Sequence, residues 1–351
     1  MRAVLRGCHA PTMTTLDVIA AEVGVSPATV SRALRGKNGV SDAVRQRVLV
    51  AAEAAGYVAS KRSTGIDTDV VGLVVPELDN PVFPAFVQRM QTLLVQQGYT
   101  PIVGSQFTPG VSEDEWVELM LGRSMAGLVV VSGMHADTTA PPDRYLRLRR
   151  LGVPLVLVNG FVPDLDATFI AVDDATAVQM AIQHLGTLGH RRVGLAVGPE
   201  RYTPVVRKVE AMQRFVAAHA DDDPFTGVVE HSLFTIEGGQ AAGRRLIEAG
   251  VTGIVCASDP MALGVIRAAR AMGLSIPRDV SVIGFDDSPV NAFMDPPLTS
   301  LRQPVGDMAS VAITALVEQL RTRQHPTTEY LFAPELVVRG TTGPVSPARR
   351  S

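Results

Sequence analysis

The sequence is poor in cysteine: only Cys8 and Cys256 occur in 351 residues. Two thiols exclude a disulfide scaffold and a cysteine metal cluster, and they fit a reducing compartment. Long apolar runs are also missing. VVGLVV at 70–75 and GLVVVS at 127–132 stop well short of the roughly 20 residues that span a bilayer. The first twelve residues, MRAVLRGCHAPT, carry two arginines but no signal-peptide core, which predicts a cytoplasmic chain that neither enters nor crosses a membrane. No nucleophile elbow, phosphate loop or GxGxxG turn follows a strand. His184 and His190 stand six apart without a third ligand nearby, and the glycines of EGGQAAG lie at a helix start. The sequence therefore predicts no enzyme, no metal and no cofactor.

What is present describes a globular protein, with 46% hydrophobic and 19% charged residues. Its length exceeds what one hydrophobic core organises, so more than one folding unit is expected. The net charge of −3 is unevenly spread. Between Met13 and Gly65 seven Lys/Arg oppose four acids, the tail adds Arg2 and Arg6, and residues 66–351 carry −8. A small basic head on an acidic body suits a polyanionic partner for the head.

Three short helices are legible in that head. The first has Thr14 and Thr15 as candidate caps, Asp17 in a capping-box relation to Thr14, an apolar face of Leu16, Ile19, Ala20 and Val23, and Gly24 as its stop. Ser26 caps a second helix, with Pro27 at the first position, where a missing amide hydrogen costs nothing. Val30 and Leu34 face inward there and leave Thr29, Ser31 and Arg32 outside. Ser41 caps a third, whose stripe runs Val44, Val48, Ala51, Ala55 until Gly56. Two helices joined by Gly-Val-Ser form a helix-turn-helix pattern, whose second helix presents its first residues to base edges in a major groove. A plain three-helix packing unit with solvated arginines would show the same pattern.

TLDVIAAEVGVSPATVSRALRG, followed by VSDAVRQRVLVAAEAAGY, resembles the headpiece of the LacI/GalR family of bacterial transcription regulators. The resemblance implies that Pro27 and Ala28 help select the operator, that Thr29, Ser31 and Arg32 contact bases or phosphates, and that Thr15 and Ser26 complete the DNA-binding set. Val18 departs from the family, which has an acid there.

From Val70 onward short β-rich runs alternate with helical stretches: VVGLVV, TPIVGS, GLVVVS, PLVLVN, FIAVDD, RVGLAVG, GVVEHS, GIVCAS and VSVIGFDD. Near-continuous hydrophobic strands between helices indicate parallel sheets covered on both faces, too many for one sheet. The expected fold class is α/β, an all-α helix-turn-helix headpiece followed by a two-lobed, doubly wound core with ligand between the lobes. The stretches PELDNPVF, MAGLVV, HLGTLGHRRVGL, CASDPMALG, IPRDVSVIGFDDSP and PPLTSLRQP resemble that family's periplasmic-binding-protein-like core. The implied division is a disordered tail at 1–12, the head at 13–58, a hinge at 59–69, a core at 70–341 and a tail at 342–351. Within the core, lobe one takes about 70–171 and 302–330, and lobe two about 174–298 and 331–341.

Six residues are candidates for the cleft. Phe83 can stack on a flat sugar face or simply fill the core. Arg207 stands where the family has a ligand-binding arginine, whose fork suits vicinal hydroxyls, although without the family it reads as a surface arginine. Asp259 is a binding acid by resemblance, or a cap for a helix over 260–270. Phe234 falls where the family has a stacking aromatic, Asn159 replaces an acid and can donate as well as accept, and Asp286 is a further polar candidate that can also serve the turn.

The resemblance implies a repressor that binds palindromic operator DNA as a homodimer, because one short helix reads few bases, and that senses a small polar effector such as a sugar. No heptad-bearing tail follows Gly340 to support a tetramer. ASKRSTGIDTD lacks the family's hinge helix: Ile66 replaces the wedging leucine, Gly65 disfavours helix, and affinity is expected to lean on Arg32, Lys61 and Arg62. A stand-alone sugar receptor carrying the head as an appendage is the alternative.

Overall fold

A computed structural model describes residues 15–34, 40–54, 69–106, 110–123, 125–220 and 224–346. The chain divides into two units, Met1–Ile66 and Asp67–Ser351.

The first unit contains α1 (Thr15–Val23), α2 (Pro27–Leu34) and α3 (Asp42–Ala54). Gly24, at φ +72°, ends α1 by donating its N–H to the Ala20 carbonyl, a left-handed stop that glycine adopts without penalty. Ser26 caps α2 by accepting from the Thr29 N–H at 3.2 Å, and Ser41 caps α3 by accepting from Val44 at 3.5 Å. Ile19, Val23, Val30, Ala33, Val48, Ala51 and Ala52 form the core. Arg47 reaches from α3 to the Val23 carbonyl at 2.7 Å, so one arginine of the basic head binds a helix end of its own unit. Val18 is exposed.

The second unit holds two six-stranded sheets. Lobe one is built on β1 (Val70–Val75), β2 (Thr100–Ser105), β3 (Gly127–Val131), β4 (Leu155–Val158), β5 (Thr168–Val172) and β11 (Thr328–Phe332), in the order β11-β5-β4-β3-β1-β2 and parallel throughout. Its helices are α4 (Val82–Gln96), α5 (Glu113–Gly122), α6 (Asp143–Arg150) and α11 (Val305–Thr322). Lobe two has β6 (Arg192–Val197), β7 (Thr226–His231), β8 (Gly253–Cys256), β9 (Ser281–Asp286), β10 (Thr299–Arg302) and β12 (Glu335–Val337), in the order β12-β10-β9-β8-β6-β7. Only β12 runs antiparallel in it. Its helices are α7 (Asp174–Thr187), α8 (Thr203–Ala218), α9 (Ile236–Glu248) and α10 (Asp259–Ala271).

The chain passes between lobes after β5, after β10 and after β11. Thr299–Arg302 thus belongs to lobe two, although the sequence assigns Arg302 to lobe one, and residues 331–332, assigned to lobe two from the sequence, complete a lobe-one strand. The glycines of EGGQAAG bring α9 against α10: a Cβ on Gly239 would stand 2.1 Å from the Met261 carbonyl oxygen, so the helices touch backbone to backbone.

Residues 342–346, expected as a tail, pack on lobe two. Val345 is buried and its N–H donates to the Leu188 carbonyl, while the buried Thr341 exchanges hydrogen bonds with Val282. His190 is the hub of this strap. Its Nε2 donates to the Gly343 carbonyl at 3.1 Å, which leaves Nδ1 to accept from the Thr252 hydroxyl at 2.8 Å. His184 reaches Thr342 at 3.0 Å.

Candidate functional site

The carboxyl ends of both sheets converge on a cavity of about 260 Å³, the place where doubly wound sheets bind ligands. Lobe one supplies Glu77, Asn80 and Phe83 after β1, Ser132 and Ala136 after β3, and Asn159 after β4. Lobe two supplies Asp174 at the start of α7, Tyr202 to Lys208 around the start of α8, Phe234 after β7, Ser258 after β8, and Phe285 and Asp286 at the end of β9. Gln303 enters from the second crossing.

The lining combines aromatic faces with polar groups that the protein leaves unmatched. Phe83, Tyr202, Phe234 and Phe285 present rings, with Tyr202 and Phe234 tilted at 6.0 Å between centroids. Gly198 permits that placement, since a Cβ there would stand 2.1 Å from the Phe234 ring. Asn159 donates through Nδ2 to Ser132 at 3.3 Å, whereas its Oδ1, the Gln303 Oε1 and the Thr203 hydroxyl are shielded and have no partner among the described residues. Such groups are costly unless something bonds to them. Ser132, Asn159, Asp286 and Asp287 all take positive φ, from 47° to 103°, a concentration of backbone strain that goes with ligand sites.

Asp286 ties the lobes together from below. Its carboxylate accepts from Gln303 Nε2 at 2.6 Å and from Asn80 Nδ2 at 3.2 Å. It keeps some surface toward the cavity but lies deep in the protein. Burial first, and the neighbouring charge of Asp259 second, push it up to about 8, against the pull of Gln303, Asn80 and Lys208. Lys208 is itself buried, bonded to Asp174 and 4.1 Å from the Phe285 ring centroid. Burial raises Asp174 despite that partner.

Two ion pairs cross the cleft. Arg207 Nη2 bonds Glu329 on β11 at 2.7 Å, and Arg201 Nε bonds Asp137 at 2.7 Å. Thr138 adds its N–H and hydroxyl to the Arg201 carbonyl, each at 2.8 Å. The lobe-one side of that second clamp is held from behind. Buried Glu113 accepts from Gln106 Nε2, the Met134 N–H and the Tyr145 hydroxyl, while His135 donates its N–H to Tyr145 and its Nε2 to the Val158 carbonyl. Burial lowers His135 below the ordinary histidine range.

Of the six cleft candidates, Phe83, Asn159, Arg207, Phe234 and Asp286 line the cavity. Asp259 does not. It is the first residue of α10, with Ser258 as the cap, and its carboxylate is taken by the Ser288 N–H at 2.7 Å and the Ser300 hydroxyl at 2.7 Å. It shapes the turn beneath Asp286 instead of facing the cavity. The sequence reading missed Asn80, Gln303, Tyr202, Lys208 and Asp174. Asn80 and Gln303 lie inside the quoted PELDNPVF and LRQP, and Lys208 adjoins Arg207, so proximity to a recognised motif was the available signal.

In the head, Ser26, Pro27, Ala28 and Arg32 are exposed, and Thr29 and Ser31 half-buried. Ser26 is engaged as the α2 cap and its hydroxyl lies 2.9 Å from that of Thr29. Arg32 folds back on α2, its Nε donating to the Ala28 carbonyl at 3.3 Å. The Thr15 side chain, Lys61, Arg62 and Ile66, with the hinge idea they carry, lie outside the described residues.

Residues 15–60 match the model of bacterial regulatory proteins of the lacI family, and residues 182–342 that of a periplasmic binding protein-like domain. The HTH-type transcriptional regulator MalR of Streptomyces coelicolor is 51% identical over 94% of this chain and 96% of its own. The HTH-type transcriptional repressor CytR of Escherichia coli is 29% identical over 94% of this chain and 97% of its own. A solved complex of the transcriptional regulator CelR with cellobiose, 28% identical, covers 94% of this chain and all of that one at a TM-score of 0.69.

Proposed function

The chain belongs to the lacI family of bacterial regulatory proteins, a DNA-binding transcriptional regulator, and from that premise we propose that it is a repressor released or recruited by a carbohydrate bound in the cleft. The observation that carries the ligand class is the pairing of unmatched acceptors, Asn159 Oδ1 and Gln303 Oε1, with the rings of Phe83 and Phe234. Hydroxyl protons satisfy the acceptors and the apolar faces of a pyranose stack on the rings. Arg207 keeps donors beyond the one given to Glu329, which suit vicinal hydroxyls. The cellobiose carried by the CelR complex supports this ligand class.

The body is assigned to ligand sensing and not to catalysis, and the protein to the cytoplasm; no helix among the described residues is long and apolar enough to cross a membrane. A homodimer on a palindromic operator follows from the reach of one α2 helix. The 3-10 turn Pro289–Phe293 supports it by exposing Val290 and Phe293, the latter 88% accessible, since large exposed apolar side chains mark contact surfaces. Ligand acts only through a difference in affinity between the DNA-competent and incompetent states. A thermal-shift screen of maltose, cellobiose, ribose and other sugars, repeated with Asn159→Ala and Arg207→Ala, tests the ligand class. A hit lost in both variants is expected; a hit unaffected by either places the ligand elsewhere.

A further inference from the structure

Parallel strands joined by helices return every helix along the sheet, so helix C-termini collect at the amino ends of the strands. In lobe one that end is a row in which Thr100 lies beside Val70, Val71 beside Gly127, Leu128 beside Leu155, and Thr168 beside Val156 and Thr328. Arg123 directly follows α5, Arg149 and Arg150 end α6, and Arg321 and Arg323 flank the end of α11. Helices α5 and α6 share the core beneath Leu128, whereas Leu316 of α11 approaches Gly127 on the opposite face. The arginines thus border the row from both sides.

Arg123, Arg150, Arg321 and Arg323 are exposed, and none of them pairs with a carboxylate among the described residues. Arg321 bonds only the neutral Gln97, at 3.2 Å. Beside them Nε and Nη1 of Arg149 are shielded and without a hydrogen-bond partner among the described residues. Among the acids, Asp166 accepts from the Thr327 hydroxyl, and its charge acts on Arg149. In lobe two, Arg214 pairs with Glu210, Arg244 with Glu248, Arg245 with Glu230 and Arg278 with Asp279, while Arg192 and Arg270 bond the backbone carbonyls of Ala249 and Asp295. Attraction to helix C-termini favours arginine at such ends, Arg323 included, which caps α11 at φ +57°, but the roughly half charge of a helix end leaves much of each guanidinium's charge unmatched. Unpaired arginines on a body that carries −8 over residues 66–351 call for an anionic partner.

The polypeptide from the head enters this same row, where Thr100 N–H donates to the Asp69 carbonyl and Ala126 N–H to that of Val70. We propose that the amino end of the lobe-one sheet is a second DNA surface, on which Arg123, Arg150, Arg321 and Arg323 meet backbone phosphates outside the stretch that the head reads. The proposal rests on the DNA-binding reading. Such contacts carry no sequence information and add counterion release.

The test is fluorescence anisotropy of the full chain on a long random-sequence duplex between about 50 and 200 mM salt. Replacing the four arginines by glutamine is expected to lower the log-log salt slope by roughly 2 to 4, at about 0.9 for each phosphate that is no longer neutralised. The same change at Arg214, Arg244, Arg245 and Arg278 alters net charge equally and is expected to move the slope by less than about 0.5. A double variant, Arg150→Gln with Arg323→Gln, serves if the quadruple one melts early, with a fall in slope of about 1 to 2. An unchanged slope, or equal falls in the lobe-one and lobe-two variants, overturns the proposal. Absence of wild-type binding overturns the DNA-binding reading itself.

Discussion

Asp286 shows how far surroundings can take one side chain from its solution behaviour. Its acidity is weakened to about 8 by burial and by Asp259, while in the unfolded chain it ionises near 4. Between those values the folded state holds a proton that the unfolded state lacks, so stability falls as pH rises and levels off above about 8. Histidines 135, 184 and 190, lowered by burial, act in the opposite sense: their contribution is present above about 6.5 and lost as pH falls. Between about pH 6.5 and 8 the histidine contribution is complete, while Asp286, with Asp174 and Asp259 raised in the same sense, lowers stability, and the melting temperature should drop by roughly 3 °C or more. Asp286→Asn, which mimics the protonated acid, should flatten that drop in a pH-resolved thermal scan; an equal slope in both proteins would refute the assignment. In the head, Arg32→Ala should weaken binding to DNA selected from a random library by about tenfold or more, and binding to bulk DNA much less. Equal losses in the two titrations would make Arg32 a phosphate contact.

Among the elements, those that bury a continuous apolar stripe were legible and those that do not were hidden. All three head helices and β1 to β9 were readable because their runs repeat at periods that fit helix or buried parallel strand. TSLR, TEYLF and ELV, which form β10, β11 and β12, are short, partly polar or at sheet edges, and carry no period of their own. The strap at 341–346 escaped for a related reason: it is held by single side chains, and HLGTLGH does not announce that His184 and His190 face a segment some 150 residues away in sequence. His190→Ala leaves the Thr252 hydroxyl and the Gly343 carbonyl without this partner and should cost about 2–3 kcal/mol, read as a fall in melting temperature of roughly 4–10 °C. A change below about 1 °C would show that the strap holds without it.

Across the whole molecule, five of six cleft candidates came from motifs lying at strand ends, where the fold gathers them whatever the intervening sequence does. What the sequence could not show was pairing across the cleft, because Glu329 and Asp137 join Arg207 and Arg201 only after both lobes have formed. Partly exposed pairs add little to stability, so their effect belongs to the balance between open and closed lobes. Glu329→Gln should leave the melting temperature nearly unchanged and weaken sugar binding by roughly 3- to 10-fold in calorimetry; unaltered affinity would leave the pair without a part in closure. The coupling between cleft and head is tested most directly by titrating library-selected DNA with the full chain, with and without the sugar found in the thermal screen, for the wild type and Asn159→Ala. Sugar is expected to shift wild-type DNA affinity by about tenfold or more, and the variant to keep its sugar-free affinity but lose the response. Sugar that binds the cleft and leaves DNA affinity unmoved would contradict this coupling.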